Sequence, residues 1–174
     1  IFGGIGYYLP SKYTANYTIW GHTVIEVTDY SEVVVAGQNL TFSGFIENDL
    51  GVPLDREITI LLDGMTRTKI NSVNGIFSGS FVISDNTIAG NHTLTASIDD
   101  YNFLRGSSDD STVLVMRDTE ITLQWLGGFR NSTSLVTGYL RDSTGLGLEN
   151  HIIEIYFDEK YIGNTITEES GLFS

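Results

Sequence analysis

The feature that most constrains this chain is that much of it is written twice. The stretch "LTFSGFIENDLGVPLDREITILLDG" (residues 40–64) lies over "SLVTGYLRDSTGLGLENHIIEIYFDE" (134–159), with Gly44 on Gly138, Gly51 on Gly145 and Leu54 on Leu148. One inserted residue sets Asp63 on Asp158, and a second sets Gly75 on Gly171 and Phe77 on Phe173. Upstream, "TVIEV" at Thr23 falls on "TEITL" at Thr119. The period is therefore about 95 residues, a domain-sized repeat.

This period divides the chain into three parts. Residues 22–118 read as one complete repeat, and residues 119–174 as the first half of the next, with strands expected near 119–126, 133–141 and 151–166. Residues 1–21 read as the end of a preceding repeat, "GYYLPSKYTANYTIW" being its last strand and the approach to it. A second phase, offset by 75 residues, sets "IFGG" on "IFSG" and Asn16 on Asn91. The longer offset is preferred because one period then holds throughout.

Inside a repeat the pattern is β. In "EITILLD", Ile58, Ile60 and Leu62 share a face; Phe77, Phe81 and Ile83 do so in "GIFSGSFVI", and Leu94, Ala96 and Ile98 in "HTLTASI". A period of two marks half-buried strands. Between them stand "NDLG", "LDGMT", "SVNG", "SDN" and "AGN", whose Gly, Asn and Asp accept the positive φ of tight turns. No window holds a helical period. The expected fold class is all-β, as tandem sandwiches of roughly seven strands each.

The order of these motifs, from "VVVAGQNLTFSGFIENDLGVPLDREITILLDG" through "NGIFSGSF" to "AGNHTLTASIDD", resembles the immunoglobulin-like repeats of bacterial and archaeal cell-surface proteins. The resemblance covers nearly the whole chain and specifies a fold and a turn pattern. It implies tandem immunoglobulin-like β-sandwiches in a stalk, adhesin, filament or surface layer. The second copy departs from the pattern at two turns, with Gly147 for Pro53 and "ESG" for "VNG".

Composition narrows the partners. A formal charge of −13 repels nucleic acid and anionic membrane surfaces. With no cysteine there is no disulfide, thiolate metal site or cysteine nucleophile. Cysteine-free immunoglobulin-like domains suit a prokaryotic surface better than a eukaryotic secretory one, and an archaeal host is favoured. No apolar run reaches the roughly 20 residues of a membrane helix. The start "IFGGIGYYLP" lacks Met and a basic leader region, so the chain reads as an internal piece of a longer protein.

Few residues invite chemistry. Four Asn-x-Ser/Thr sequons, at Asn16, Asn39, Asn91 and Asn131, are candidate acceptors for N-linked glycans; chance alone supplies about two in such a composition. Asp99–Asp100 and Asp109–Asp110 offer oxygens to calcium, yet no D-x-D-x-D-G loop is present and a solvated loop is the preferred reading. His22, His92 and His151 sit at non-equivalent repeat positions, against a metal or triad role. Trp20 and Trp125 with Tyr7, Tyr8 and Tyr13 suit a sugar platform or, preferably, packing at repeat junctions. No nucleophile elbow, phosphate loop or paired carboxylates appear, so no catalysis, cofactor, metal or small-molecule substrate is expected.

The expected function is structural and extracellular, with other copies or flanking repeats as partners. The rival reading is an adhesin or a carbohydrate- or protein-binding module, attached to an enzyme outside this stretch. "GLFS" at Ser174 matches "GIFS" at Ser78, where the first repeat still has strands to come. A half-sandwich leaves apolar surface and strand edges unmet. Completion is expected from the chain's own continuation or, less favoured, from residues 1–21 of another copy.

Overall fold

A computed structural model describes residues 12–125, 127–128 and 133–174. Its described residues form strands and turns with no helix. Nine strands make a first unit: β1 (Gly21–Tyr30), β2 (Val33–Val35), β3 (Asn39–Asn48), β4 (Glu57–Leu62), β5 (Met65–Asn71), β6 (Ile76–Val82), β7 (Gly90–Ile98), β8 (Leu104–Arg105) and β9 (Ser107–Met116). They lie in two sheets, ordered β6-β3-β1-β8 and β2-β9-β7-β4-β5. This is an immunoglobulin-like β-sandwich.

Alternation along each strand creates the core between the sheets. Ile58, Ile60 and Leu62 of β4 point inward beside Leu94, Ala96 and Ile98 of β7 and Val113 and Val115 of β9. Ile25 and Val27 of β1, Phe42 and Ile46 of β3, and Phe77 of β6 face them from the other sheet. Burying one such side chain contributes about 1.5–3 kcal/mol, so apolar packing holds the sheets together in place of a disulfide. Phe81, expected on the same face, is only partly buried and stacks tilted on Phe42.

Five further strands follow: β10 (Thr119–Trp125), β11 (Val136–Asp142), β12 (Ile152–Phe157), β13 (Lys160–Ile166) and β14 (Leu172–Phe173). The expected strand across 151–166 is a hairpin, folded at Asp158 and Glu159, both at positive φ. Sheets β10-β11-β14 and β12-β13 reproduce the pairings β1-β3-β6 and β4-β5 of the first unit.

The likeness extends to single hydrogen bonds. Asn48 Oδ1 accepts the Leu50 and Val52 amides, and Asp142 Oδ1 accepts those of Thr144 and Leu146. The buried Ser72 hydroxyl accepts the Arg56 amide, and the buried Thr167 hydroxyl accepts that of His151. Gly44 sits where a Cβ would strike the Glu26 carbonyl and the Phe77 ring, and Gly138 meets the Thr122 carbonyl and the Phe173 ring likewise. Gly44 and Gly138 are thus sites of close approach, where an aromatic ring tip and a neighbouring carbonyl leave no room for a Cβ, whereas the recurring pair Gly51 and Gly145 stands in open turns at positive φ.

Of the segment 1–21, read from sequence as the terminal strand of a preceding repeat, residues 12–20 carry no strand and lie exposed. Among the described residues no neighbouring strand offers its N–H and C=O groups to this segment, and strand conformation without a ladder has little to hold it. Residues 1–11 lie outside the described residues.

Candidate strand-accepting site

Corresponding positions of the two units part company wherever β7 and β9 do their covering. In the first unit β4 is flanked on one side by β5 and on the other by β7; β12, its counterpart, pairs among the described residues with β13 alone. Along β4, Ile58, Ile60 and Leu62 are 0%, 1% and 1% exposed, whereas Ile153 is 8% exposed, Ile155 half-buried and Phe157 65% exposed. On the facing sheet, Ile25 and Val27 are buried, but their counterparts Ile121 and Leu123 are 55% and 63% exposed. Parts of the core made without β7 and β9 are intact, for Phe77 and Phe173 are each 1% exposed.

The second unit therefore presents a cleft of about 240 Å³ between its sheets, bordered by Leu135, Val136, Ile155, Ile162 and Ser174. Apolar Leu135, Val136, Ile155 and Ile162 share its lining with Asn164 and Thr165, and among the described residues no strand pairs with the second edge of β12. A strand laid along β12 would satisfy that edge, and its inward side chains would cover Ile121, Leu123, Ile155 and Phe157. Main-chain pairing supplies affinity and alternate side chains supply register.

Between the units runs a short link with a charged fastening. Arg117 donates through one terminal nitrogen to Asp142 Oδ2 at 2.5 Å and through the other to the Asp85 carbonyl at 2.8 Å. Both side chains of the ion pair are largely buried. Hydrogen bonds from the Thr144 hydroxyl and from the Thr144 and Leu146 amides, with Arg117 adding to them, hold the Asp142 carboxyl down at about 2. At the corresponding link before β1, Asn48 stands for Asp142, and the turn amide of Asp49 meets the His22 carbonyl as the Ser143 amide meets that of Asp118. Gly21 then falls where Arg117 does, so both charges are missing together. Trp20 instead packs edge-on against Phe103, with ring centroids 5.9 Å apart.

The residues singled out from sequence are scattered. Asn16, Asn39 and Asn91 are exposed, the latter two at the starts of β3 and β7; Asn131 lies outside the described residues. The acidic clusters serve the fold: Asp100 accepts the Gly106 amide, Asp109 the Val27 amide and Asp110 the Thr95 hydroxyl. His92 contacts Asp63, His151 bonds the Glu149 carbonyl, and His22 lies exposed in β1. Among the described residues no group of three His, Asp or Glu is set to hold a metal. Tyr13 is 89% exposed and unstacked with Trp20; Tyr7, Tyr8 and the Trp125 side chain lie outside what is described. Sequence reasoning missed the Arg117–Asp142 pair, although the exchange of Asn48 for Asp142 between copies was its visible trace.

No protein-family model matches the chain. A search of curated proteins finds no match either. Among solved structures the chain is similar to the native conformation of the E. coli alpha-2-macroglobulin, at 13% identity and a TM-score of 0.43, over 94% of this chain and 13% of that one. It is also similar to a 1.5-MDa bacterial ice-binding adhesin, at 16% identity and a TM-score of 0.37, over 88% of this chain and 53% of that one. This chain thus spans a minor part of the first and about half of the second. At such identities and scores neither likeness bears on what the chain does.

Proposed function

We propose that this chain is a stretch of an extracellular structural protein of a prokaryotic, favoured as archaeal, cell surface: immunoglobulin-like sandwiches in tandem, forming a stalk, filament or surface layer. Residues 22–118 are one whole unit and 119–174 the first half of another, completed head to tail by strands equivalent to β7 and β9. Residues 1–21 close the unit before. The partners are flanking repeats of the same chain or other copies of it, with N-linked glycans on exposed sequons such as Asn39 and Asn91. No catalytic role is proposed.

The observation that carries this reading is the contrast between Ile25 and Val27, buried under the first unit's full set of strands, and Ile121 and Leu123, bare in the second. Equivalent apolar residues call for equivalent cover. The proposed role is mechanical, with strand ladders and inter-sheet packing resisting extension while acidic outer faces resist aggregation.

Appending residues 79–118 after Ser174 tests it, because Ser174 corresponds to Ser78 and the added stretch supplies the missing strands. Ile121 and Leu123 should then become protected and the second unit should unfold cooperatively. A second unit that stays open with these strands attached would defeat the reading. Saturable binding of the chain to one sugar class on a glycan array would favour the adhesin reading instead.

A further inference from the structure

His92, on β7, is 13% exposed at its side chain and has an acceptor at each ring nitrogen. Nδ1 lies 2.6 Å from Asp63 Oδ2, and Nε2 lies 2.8 Å from the Ile88 carbonyl oxygen. A carbonyl cannot donate, and a carboxylate cannot either. A neutral imidazole has one N–H, so it would leave one of these contacts acceptor against acceptor. Only the imidazolium satisfies both.

The two groups it joins belong to different connections. Asp63 begins the β4–β5 turn at φ 51°, and its other carboxylate oxygen accepts the Thr93 amide. Ile88 lies in the β6–β7 connection, whose Asp85 carbonyl is held by Arg117 at the link between units. Two carbonyls of one short segment are thus each held by a cation, one from its own unit and one tied to Asp142 of the next.

We propose that His92, as the imidazolium, is a pH-released clamp that orders residues 84–89 and thereby supports the Arg117 fastening between the units. The charged groups facing it are Asp63 and, from β5, Arg67. The hydrogen bond to Asp63 raises the His92 pKa, with burial and Arg67 opposing. Burial would raise Asp63, but hydrogen bonds from His92 and Thr93 outweigh it and hold its carboxyl below the usual range. With His92 raised in the folded state, the clamp is full below the ordinary histidine value of 6.5 and is lost as pH rises through the raised one.

Nitrogen NMR of the histidine rings in the whole chain, from about pH 5 to about pH 9, tests this directly. Both His92 nitrogens should be protonated below pH 6.5, with a midpoint above that value. Amide exchange at residues 84–89, corrected for its intrinsic pH dependence, should quicken about tenfold across the His92 midpoint, as loss of a charge-assisted hydrogen bond would produce. His92→Gln should abolish that step, and Asp63→Asn should move the midpoint down. A His92 midpoint at or below 6.5 overturns the proposal, as does an exchange step that is absent in the native chain or survives in His92→Gln.

Discussion

Arg117 of the link and Asp142 of β11 meet at 2.5 Å in a largely buried ion pair that joins one sandwich to the next. Arg117→Ala or Asp142→Asn should widen the range of angles between the units, measured by small-angle scattering or residual dipolar couplings. The acid response follows from the sign of the shift. Because the Asp142 carboxyl is depressed to about 2 from an ordinary 3.8, the fastening is present above the ordinary value and is lost as pH falls toward about 2. Inter-unit order should therefore be unchanged at pH 4 in the native chain.

Gly44→Ala should destabilise the first unit by about 1–3 kcal/mol in urea unfolding. Its new Cβ would lie 2.5 Å from Phe77 Cζ and closer still to the Glu26 carbonyl, which belongs to a paired strand and cannot retreat. Gly138→Ala should act the same way on the second unit, through Phe173 and Thr122.

Ile25→Ala should cost about 2–4 kcal/mol, whereas Ile121→Ala should change the stability of this chain by no more than about 0.5 kcal/mol. The residues correspond, but the first is 6% exposed and the second 55%. Supplying the covering strands should raise the second cost toward the first. Equal costs before such addition would show that Ile121 is already covered.

Residues 22–118 expressed alone should unfold in urea as one cooperative transition, with an m of about 1–2 kcal/mol/M. The core joins residues from β1 to β9 and needs none from beyond Met116. A broad, non-cooperative profile would show that this stretch is not a folding unit.

Much of this architecture was legible in the sequence because its causes are local. Alternation at Ile58, Ile60 and Leu62 fixes which face of β4 turns inward, and Asp63–Gly64 or Asn74–Gly75 fixes where the chain turns back, since both pairs occupy positive φ. Repetition of those cues about 95 residues later was enough to foresee a second unit built alike. Burial was beyond that reach. "TVIEV" and "TEITL" carry the same pattern, yet Ile25 is enclosed and Ile121 bare, because enclosure depends on strands β7 and β9 that arrive from 65 or more residues away. Residues 12–20 lie outside any strand for a kindred reason: a ladder needs a partner that no local pattern supplies. His92 with Asp63, and Arg117 with Asp142, stand 29 and 25 residues apart in the chain. Tertiary structure alone decided that these charges meet, because hydrogen bonds between side chains depend on how the sheets stack, while the sequence by itself determined which residues each strand turns toward the core.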